Sequence, residues 1–303
     1  LPHETQRLLG HAEAASDGVS VVAYSIAVGT DALHQSAYRV AEAHFTRALE
    51  LVGSVDDPLA VHAALGGRVR ARNRLSDRVG QGADVAALVA HAERVGEPLL
   101  GEALLLEAEY RFAIGEFDAA VASIERNAGH PIGALADRMV TSSDLGRVAS
   151  ITLRELGRYA DAEAIGQATL ELVEAAGDER EAALMTDVLG GIAWRRGDPR
   201  TAAVLHRRAA DRFAAIGARG AEARALNNLG TALWAIGDDH AAESVHRRAL
   251  DVCCELGDRR GEGDNIDNLG GVAFVRGDFR TAIELYDAAL RIRRDTDDPW
   301  GVS

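Results

Sequence analysis

The last third of the sequence repeats itself with a period of about 40 residues. A Leu-Gly pair, a Gly-Asp pair and two alanines recur in the same order and at the same distances in three successive units. The pairs are Leu189-Gly190, Leu229-Gly230 and Leu269-Gly270, then Gly197-Asp198, Gly237-Asp238 and Gly277-Asp278, followed by Ala202 and Ala209, Ala242 and Ala249, and Ala282 and Ala289. Internal repetition of this length is typical of arrays in which each unit packs on the next. We therefore expect a repeat array.

Each unit contains two segments with apolar residues at helical spacing, as in residues 225–236 and 241–252. The Gly of the Gly-Asp pair suits the left-handed residue that ends a helix, and the Asp suits the first cap of the next helix. The unit is therefore predicted to be a hairpin of two antiparallel helices. Gly230 lies within the first helix, where glycine weakens a helix by up to about 1 kcal/mol relative to alanine. Its recurrence predicts that the two helices approach each other closely there.

Weaker matches extend the array towards the N-terminus. Around residue 80 the match is poorest, because Gly80-Gln81-Gly82 takes the place of the Gly-Asp turn. The small residue of the first helix is expected at Gly29, Gly66, Ala108, Ser150, Gly190, Gly230 and Gly270. The predicted fold is an all-α solenoid of about seven helical hairpins. We expect a helical lead-in over 1–21, about four degenerate repeats over 22–180, three well-matched repeats over 181–298, and the start of a truncated further repeat over 299–303.

Composition excludes several classes of function. The chain has 33 basic and 47 acidic residues and a net charge of -14, which disfavours binding to nucleic acids. It contains no lysine, so Schiff-base chemistry and the phosphate-loop motif are excluded. No zinc-protease, nucleophile-elbow or Cys-x-x-Cys motif is present. We therefore predict a protein that is not an enzyme, with no catalytic residues, no cofactor and no metal site.

The pattern of small residue, Gly, Ala and Ala at positions 8, 15, 20 and 27 of each unit resembles the tetratricopeptide repeat. The unit is longer than that repeat, at about 40 residues against about 34 residues, as in the variants of kinesin light chains and bacterial signalling ATPases. Residues 8–15, 22–24 and 41–45 are similar to the stretch that joins the ATPase core to the repeats in large bacterial LuxR-type regulators. The resemblance implies an α-α superhelix that binds other proteins.

The resemblance also implies that positions 2, 5, 9 and 12 of each unit line a concave groove. Among these positions, the aromatic rings would form a ladder and the polar groups would bind the backbone of a peptide. Alternatively, the rings fill the space between helices, and Asn228 and Asn268 bridge adjacent repeats. The candidate groove residues are Asp187, Trp194, Arg224, Asn227, Thr231, Trp234, Asp264, Asp267 and Phe274.

Three further features each allow two interpretations. His206, His246 and Tyr286 occupy the same position in successive units, either as a proton switch or, as we favour, as rings packed against a neighbouring helix. Cys253 and Cys254 are either a redox sensor or, as we favour, buried thiols. The arginines between 68 and 78 either bind an anion or nucleic acid or, as we favour, form ion pairs within the protein or lie on a solvated surface.

We expect the groove to bind a protein or a peptide, with a small effector as an alternative, and expect neither nucleic-acid nor membrane binding by this segment. The start, Leu1-Pro2-His3-Glu4, has no basic signal region and no Met, and 299–303 resembles the opening of another unit, so we expect a cytoplasmic fragment of a longer protein. The predicted function is a sensor or interaction segment of a larger bacterial transcriptional regulator or signal-transduction ATPase. The alternative is a stand-alone adaptor. Homodimer formation is a further prediction.

Overall fold

A computed structural model of the protein describes residues 2–54, 57–136 and 142–295. Within those residues the chain forms α-helices and two short 3-10 turns, with no strand. The segment 299–303, predicted to open a further repeat, lies outside them. The helices are α1 (Pro2–Ala14), α2 (Gly18–His34), α3 (Tyr38–Leu51), α4 (Pro58–Leu75), α5 (Arg78–Val95), α6 (Leu99–Ala113), α7 (Phe117–Ala128), α8 (Ser143–Glu155), α9 (Tyr159–Ala175), α10 (Glu179–Arg195), α11 (Pro199–Ala215), α12 (Arg219–Ile236), α13 (Asp239–Leu256), α14 (Arg259–Val275) and α15 (Phe279–Asp295).

The helices fall into two compact units, one up to Ile132 and one from Gly133. In the first unit α1 precedes three hairpins, α2–α3, α4–α5 and α6–α7. The second unit contains four hairpins, α8–α9, α10–α11, α12–α13 and α14–α15. Consecutive helices pack on each other within each unit, so every hairpin buries its apolar stripe against its neighbours. The predicted all-α solenoid of seven hairpins is confirmed.

The helix ends of the second unit follow the predicted turn chemistry. Gly237 is left-handed (φ +88°), and the side chain of Asp238 accepts a hydrogen bond from the Ala241 N–H at 3.1 Å. The turns at Gly197-Asp198 and Gly277-Asp278 have the same geometry, so the prediction is confirmed. The same left-handed glycine also ends the second helices, which the pattern of whole units did not reveal. These glycines are evenly spaced, at Gly157, Gly177, Gly197, Gly217, Gly237, Gly257 and Gly277.

In the first unit, serines replace some of the turn glycines. Ser76 is left-handed (φ +59°), and Asp77 caps α5 by accepting the Gly80 N–H at 3.0 Å. The turn predicted at Gly80-Gln81-Gly82 is therefore wrong, since these residues lie inside α5. Serine adopts the left-handed conformation at a steric cost that the cap at Asp77 helps to offset. Gly82 serves another purpose, because a Cβ there would lie 2.3 Å from the Tyr110 hydroxyl.

The recurring mid-helix glycines hold the hairpins of the second unit together. A Cβ on Gly190 would lie 2.8 Å from the ring of His206, and one on Gly270 would lie 2.8 Å from the ring of Tyr286. The close approach predicted from these glycines is confirmed, with a side-chain ring of the second helix as the approaching group. In the first unit the ring of Phe45 packs against Gly29 and also against Gly67. The small residue predicted for α4 is Gly66, which instead faces Arg70 and Leu106.

Candidate functional site

The nine candidate groove residues all lie on α10, α12 and α14, the first helices of three successive hairpins. Their spacings of three, four or seven residues place them on one stripe of each helix. We call the surface formed by this stripe and the matching side of α8 the first-helix face. Trp194 is 39% exposed and Phe274 is 55% exposed. The rest are half-buried, apart from the exposed Arg224.

A cavity of about 300 Å³ opens on the first-helix face. Three of the nine predicted residues line it, namely Asp187, Trp194 and Thr231. The other six are not among its lining residues. The full lining is Arg154, Glu155, Asp187, Val188, Gly191, Trp194, Arg195, His206, Asn228 and Thr231. Charged groups of both signs and one indole ring thus surround a space large enough for one or two amino-acid side chains.

Asp187 holds one wall of this cavity together. Its Oδ1 lies 2.7 Å from His206 Nδ1 and 3.5 Å from Asn228 Nδ2, and its Oδ2 lies 3.6 Å from Arg224 Nε. Burial raises the pKa of Asp187, but the hydrogen bond and charge of His206, with Arg224 and Asn228, outweigh this and lower the pKa overall. The carboxylate therefore stays ionised and orients the wall.

Two arginines and a glutamate form the opposite wall, and sequence analysis missed them. Glu155 accepts a hydrogen bond from Arg195 at 2.6 Å and pairs with Arg154 at 2.8 Å. A Cβ on Gly191 would lie 2.9 Å from Arg154 Nη1, so this glycine makes room for the guanidinium. Arg154 stands one full repeat before Trp194. Extending the groove positions one repeat further back, into α8, would have found it.

The aromatic residues do not share one environment. Trp234 is half-buried against the core of the second unit, and a Cβ on Gly271 of α14 would lie 3.4 Å from its indole ring. Phe274 makes an edge-to-face contact with Phe279, with ring centroids 5.5 Å apart. The core interpretation thus describes Trp234, while Trp194 and Phe274 offer surface. The aromatic ladder remains a prediction.

The polar candidates on α12 and α14 are engaged in contacts within and between repeats. Asn268 Nδ2 donates to Asn227 Oδ1 at 2.8 Å, and Asn228 approaches Asp187 in the equivalent place one repeat earlier. Thr231 Oγ1 donates to the Asn227 carbonyl at 3.1 Å. The interpretation of Asn228 and Asn268 as bridges between adjacent repeats is confirmed. Asp264 and Asp267 each lie 3.5 Å from Arg293 of α15.

Most of the other features with two interpretations take the structural one. His206 and His246 are buried rings packed against a neighbouring helix, and Cys253 is a buried thiol whose pKa burial raises to about 11. The prediction of a buried thiol is wrong for Cys254, which is exposed. Arg68 forms a bidentate ion pair with Asp84, with N–O distances of 2.7 and 2.8 Å. Arg70 pairs with Glu102 at 2.6 Å, and Arg72 with Glu42 at 2.8 Å. The expected ion pairing within the protein is confirmed for these three arginines.

The described residues contain neither a cluster of metal ligands nor a helix that could span a membrane. Over 2–54, 57–136 and 142–295, no group of three or more His, Cys, Asp or Glu side chains is arranged to hold a metal ion. No helix in the described part of the chain combines the length and apolar character needed to cross a membrane.

Comparisons with known proteins bear on the fold of the chain. Residues 181–255 match the family model of the tetratricopeptide repeat. No curated protein matches the sequence significantly. A Rap protein complexed with competence and sporulation factor is similar in structure, with a TM-score of 0.68, 12% identity, and 93% of this chain and 79% of that chain covered.

Two further solved structures are informative. One is the Rap conjugation gene regulator of the plasmid pLS20 in complex with the Phr* peptide, with a TM-score of 0.53, 16% identity, and 92% of this chain and 76% of that chain covered. The other is a signal transduction ATPase with numerous domains and a tetratricopeptide repeat sensor from Pyrococcus horikoshii. It has a TM-score of 0.50 and 13% identity, and the match covers 86% of this chain and 47% of that chain. The fold is that of tetratricopeptide-like helical solenoids.

Proposed function

We propose that the protein is a binding scaffold that holds a peptide, or an extended segment of a partner protein, on the first-helix face of its second unit. The observation that carries this proposal is the cavity of about 300 Å³ beside Asp187 and Trp194. An indole 39% exposed beside such a cavity supplies rigid apolar contact area at low entropic cost. A side chain of the bound peptide would lie against it.

The charged groups around the cavity are held in place by neighbouring side chains. Glu155 is held by two arginines, and Asp187 is held by His206 and Asn228. Groups fixed in this way lose little conformational freedom when a peptide binds. Their outward edges can still donate to and accept from the peptide backbone, with Arg154 and Arg195 as donors.

Within this scaffold function, we infer a sensor or interaction segment of a larger bacterial regulator. Support comes from the likeness to a Rap regulator solved with a peptide and to an ATPase that carries a repeat sensor. The alternative is a stand-alone adaptor. The coding sequence around this segment separates the two, since a nucleotide-binding or helix-turn-helix domain in the same protein would select the regulator.

The binding proposal can be tested with a peptide array probed with the full chain. Trp194→Ala is expected to reduce the affinity for array-selected peptides by about tenfold, as for a central aromatic contact. Ile216→Ala is the matched control, because Ile216 is also 39% exposed but does not line the cavity. Equal losses in the two variants, or none in Trp194→Ala, would refute the proposed site.

A further inference from the structure

A second and larger cavity, of about 740 Å³, lies between α11 and the end of α12. We call it the α11–α12 cleft. Its apolar surface comes from Ala203, Val204, Leu233 and Ile236, and Val204 is 68% exposed. Val204 and the buried His206 project from opposite sides of α11, because side chains two positions apart on a helix diverge by about 200°. The cleft is therefore separate from the first-helix face.

In the repeats on either side a salt bridge lies at the equivalent place, and in the following repeat Glu243 and Arg276 also line a cavity of about 440 Å³ there. Glu163 pairs with Arg196 in the preceding repeat, and Glu243 pairs with Arg276 in the following one. Each glutamate is the counterpart of Ala203 in its own repeat, and each arginine is the counterpart of Ile236. In the middle repeat both partners of this ion pair are replaced together by apolar residues. This removes the charges without leaving one of them unpaired, and it replaces a polar contact with apolar surface.

Arginines surround this apolar surface. The cleft is lined by Arg200, Arg207, Arg208 and Arg212, against the single acid Asp211. Arg208 and Arg212 both bond to Glu174 of α9, whereas Arg200 and Arg207 are exposed. In a chain whose net charge is -14, four arginines around an apolar surface are a local reversal of sign. A partner that matches this cleft has apolar side chains flanked by carboxylates.

We propose that the α11–α12 cleft is a second docking site, which binds an acidic amphipathic segment of a partner protein. An apolar side chain of that segment packs against Val204 and Ile236. Its Asp or Glu side chains pair with Arg200 and Arg207 at the edge. This site is independent of the proposed peptide site, because none of its lining residues lines the other cavity.

The neighbouring repeats supply the variant that tests this proposal. Ala203→Glu combined with Ile236→Arg would rebuild the ion pair that the chain already tolerates at Glu163–Arg196 and Glu243–Arg276. The probe is a display library of peptides of about 16 residues, or four to five helical turns, selected on the full chain. Trp194→Ala serves as the control for the other site, and Arg200→Gln with Arg207→Gln isolates the contribution of charge.

We expect the selection to yield peptides that are enriched in Asp and Glu and that carry apolar residues at helical spacing. Their affinity should fall by about tenfold or more in the Ala203→Glu/Ile236→Arg variant and severalfold in the double-glutamine variant, and should not change in Trp194→Ala. If the Ala203→Glu/Ile236→Arg variant does not fold by circular dichroism, Val204→Ser at the exposed wall replaces it, with the same expectation of weaker binding.

Four results would overturn the proposal. The selected peptides show no acidic excess, or their binding survives in the Ala203→Glu/Ile236→Arg variant. Alternatively, Trp194→Ala abolishes their binding, which assigns them to the first-helix face. Finally, the unmodified protein is a dimer that the Ala203→Glu/Ile236→Arg variant converts to a monomer, which makes a second copy of the chain the occupant.

Discussion

Gly230 of α12 faces His246 of α13 so closely that a Cβ on the glycine would lie 2.5 Å from the imidazole Nε2. The ring is fully buried, and its Nδ1 lies 3.3 Å from Asn265 Oδ1. Burial lowers the pKa of His246, and the hydrogen bond with Asn265 opposes this only in part. The ring that keeps the two helices apart is thus also a core histidine whose neutral form is favoured by burial.

We predict that Gly230→Ala destabilises the protein although alanine is the better helix former. Overpacking costs about 1–3 kcal/mol, whereas the gain in helix propensity is about 1 kcal/mol at most. Urea denaturation measures the free energy of unfolding. Gly220→Ala on the same helix is the control, since its Cβ would meet nothing nearer than 4.0 Å and should change stability by less than about 0.5 kcal/mol. A Gly230→Ala protein as stable as the parent would contradict the close contact.

Stability should fall on mild acidification because of His246. The pKa of His246 is lowered in the native state, so the unfolded chain binds a proton near pH 6.5 that the native ring does not bind. The free energy of unfolding therefore decreases as pH falls through 6.5 towards the native pKa. His246→Tyr, which copies Tyr286 of the next repeat, should flatten this part of the curve. Identical pH profiles for parent and variant between pH 7 and 5 would rule the effect out.

The two tryptophans of the first-helix face should behave differently. Trp234 packs on the core of the second unit, so Trp234→Ala should cost about 2 kcal/mol of folding stability. Trp194 is exposed, and Trp194→Ala should cost less than about 1 kcal/mol while weakening peptide binding. Thermal melts of both variants beside the parent decide the matter. A larger loss for Trp194 than for Trp234 would reverse the assignment of core and surface.

The amide bridge between α12 and α14 should be measurable as a coupling. Asn268 Nδ2 donates to Asn227 Oδ1 at 2.8 Å, and a neutral hydrogen bond contributes about 0.5–1.5 kcal/mol. A double-mutant cycle with Asn227→Ala and Asn268→Ala should return a coupling energy in that range. If the two substitutions are additive, the amides do not hold the repeats together.

The two cysteines should differ in reactivity. Burial raises the pKa of Cys253 to about 11, so at pH 8 only about one molecule in a thousand carries the thiolate. Cys254 is exposed, although partial burial of its sulfur raises the pKa of that thiol too. A thiol reagent should label native protein at Cys254 alone, and the Cys254→Ser variant should react only after denaturation. Rapid labelling of native Cys254→Ser would show that Cys253 is accessible.

Much of the fold follows from local signals in the sequence. Gly237-Asp238 is both a left-handed end and a helix cap, so residue chemistry alone places that turn. Ser76-Asp77 forms the same kind of turn without glycine. Because Gly80 and Gly82 lie close by, sequence analysis predicted the turn too late in the chain. Here a capping carboxylate decides where the helix starts, and a tyrosine on the next helix explains why Gly82 is small.

The site was less accessible to sequence analysis. Counting by repeat placed Trp194 and Asp187 on one face, but it did not reveal that Asp187 binds His206, a residue of the other helix of the same hairpin. The α11–α12 cleft is apolar because Ala203 and Ile236 stand where the neighbouring repeats have a charged glutamate and a charged arginine. Such a substitution stands out only once the contact between the counterparts is known.

The even spacing of the left-handed glycines has a consequence for how such a protein can change in length. Adding or deleting one whole hairpin between 157 and 277 would leave each remaining helix pointing the same way, with its turn residue and its ring-facing glycine still in phase. Adding a single helix with its turn would keep the even spacing of the turns, but it would reverse the direction of every helix that follows. Two helices that carry the mid-helix glycine would then face each other, without a ring between them. Whole hairpins are thus the natural units of duplication, and binding surface can grow with them.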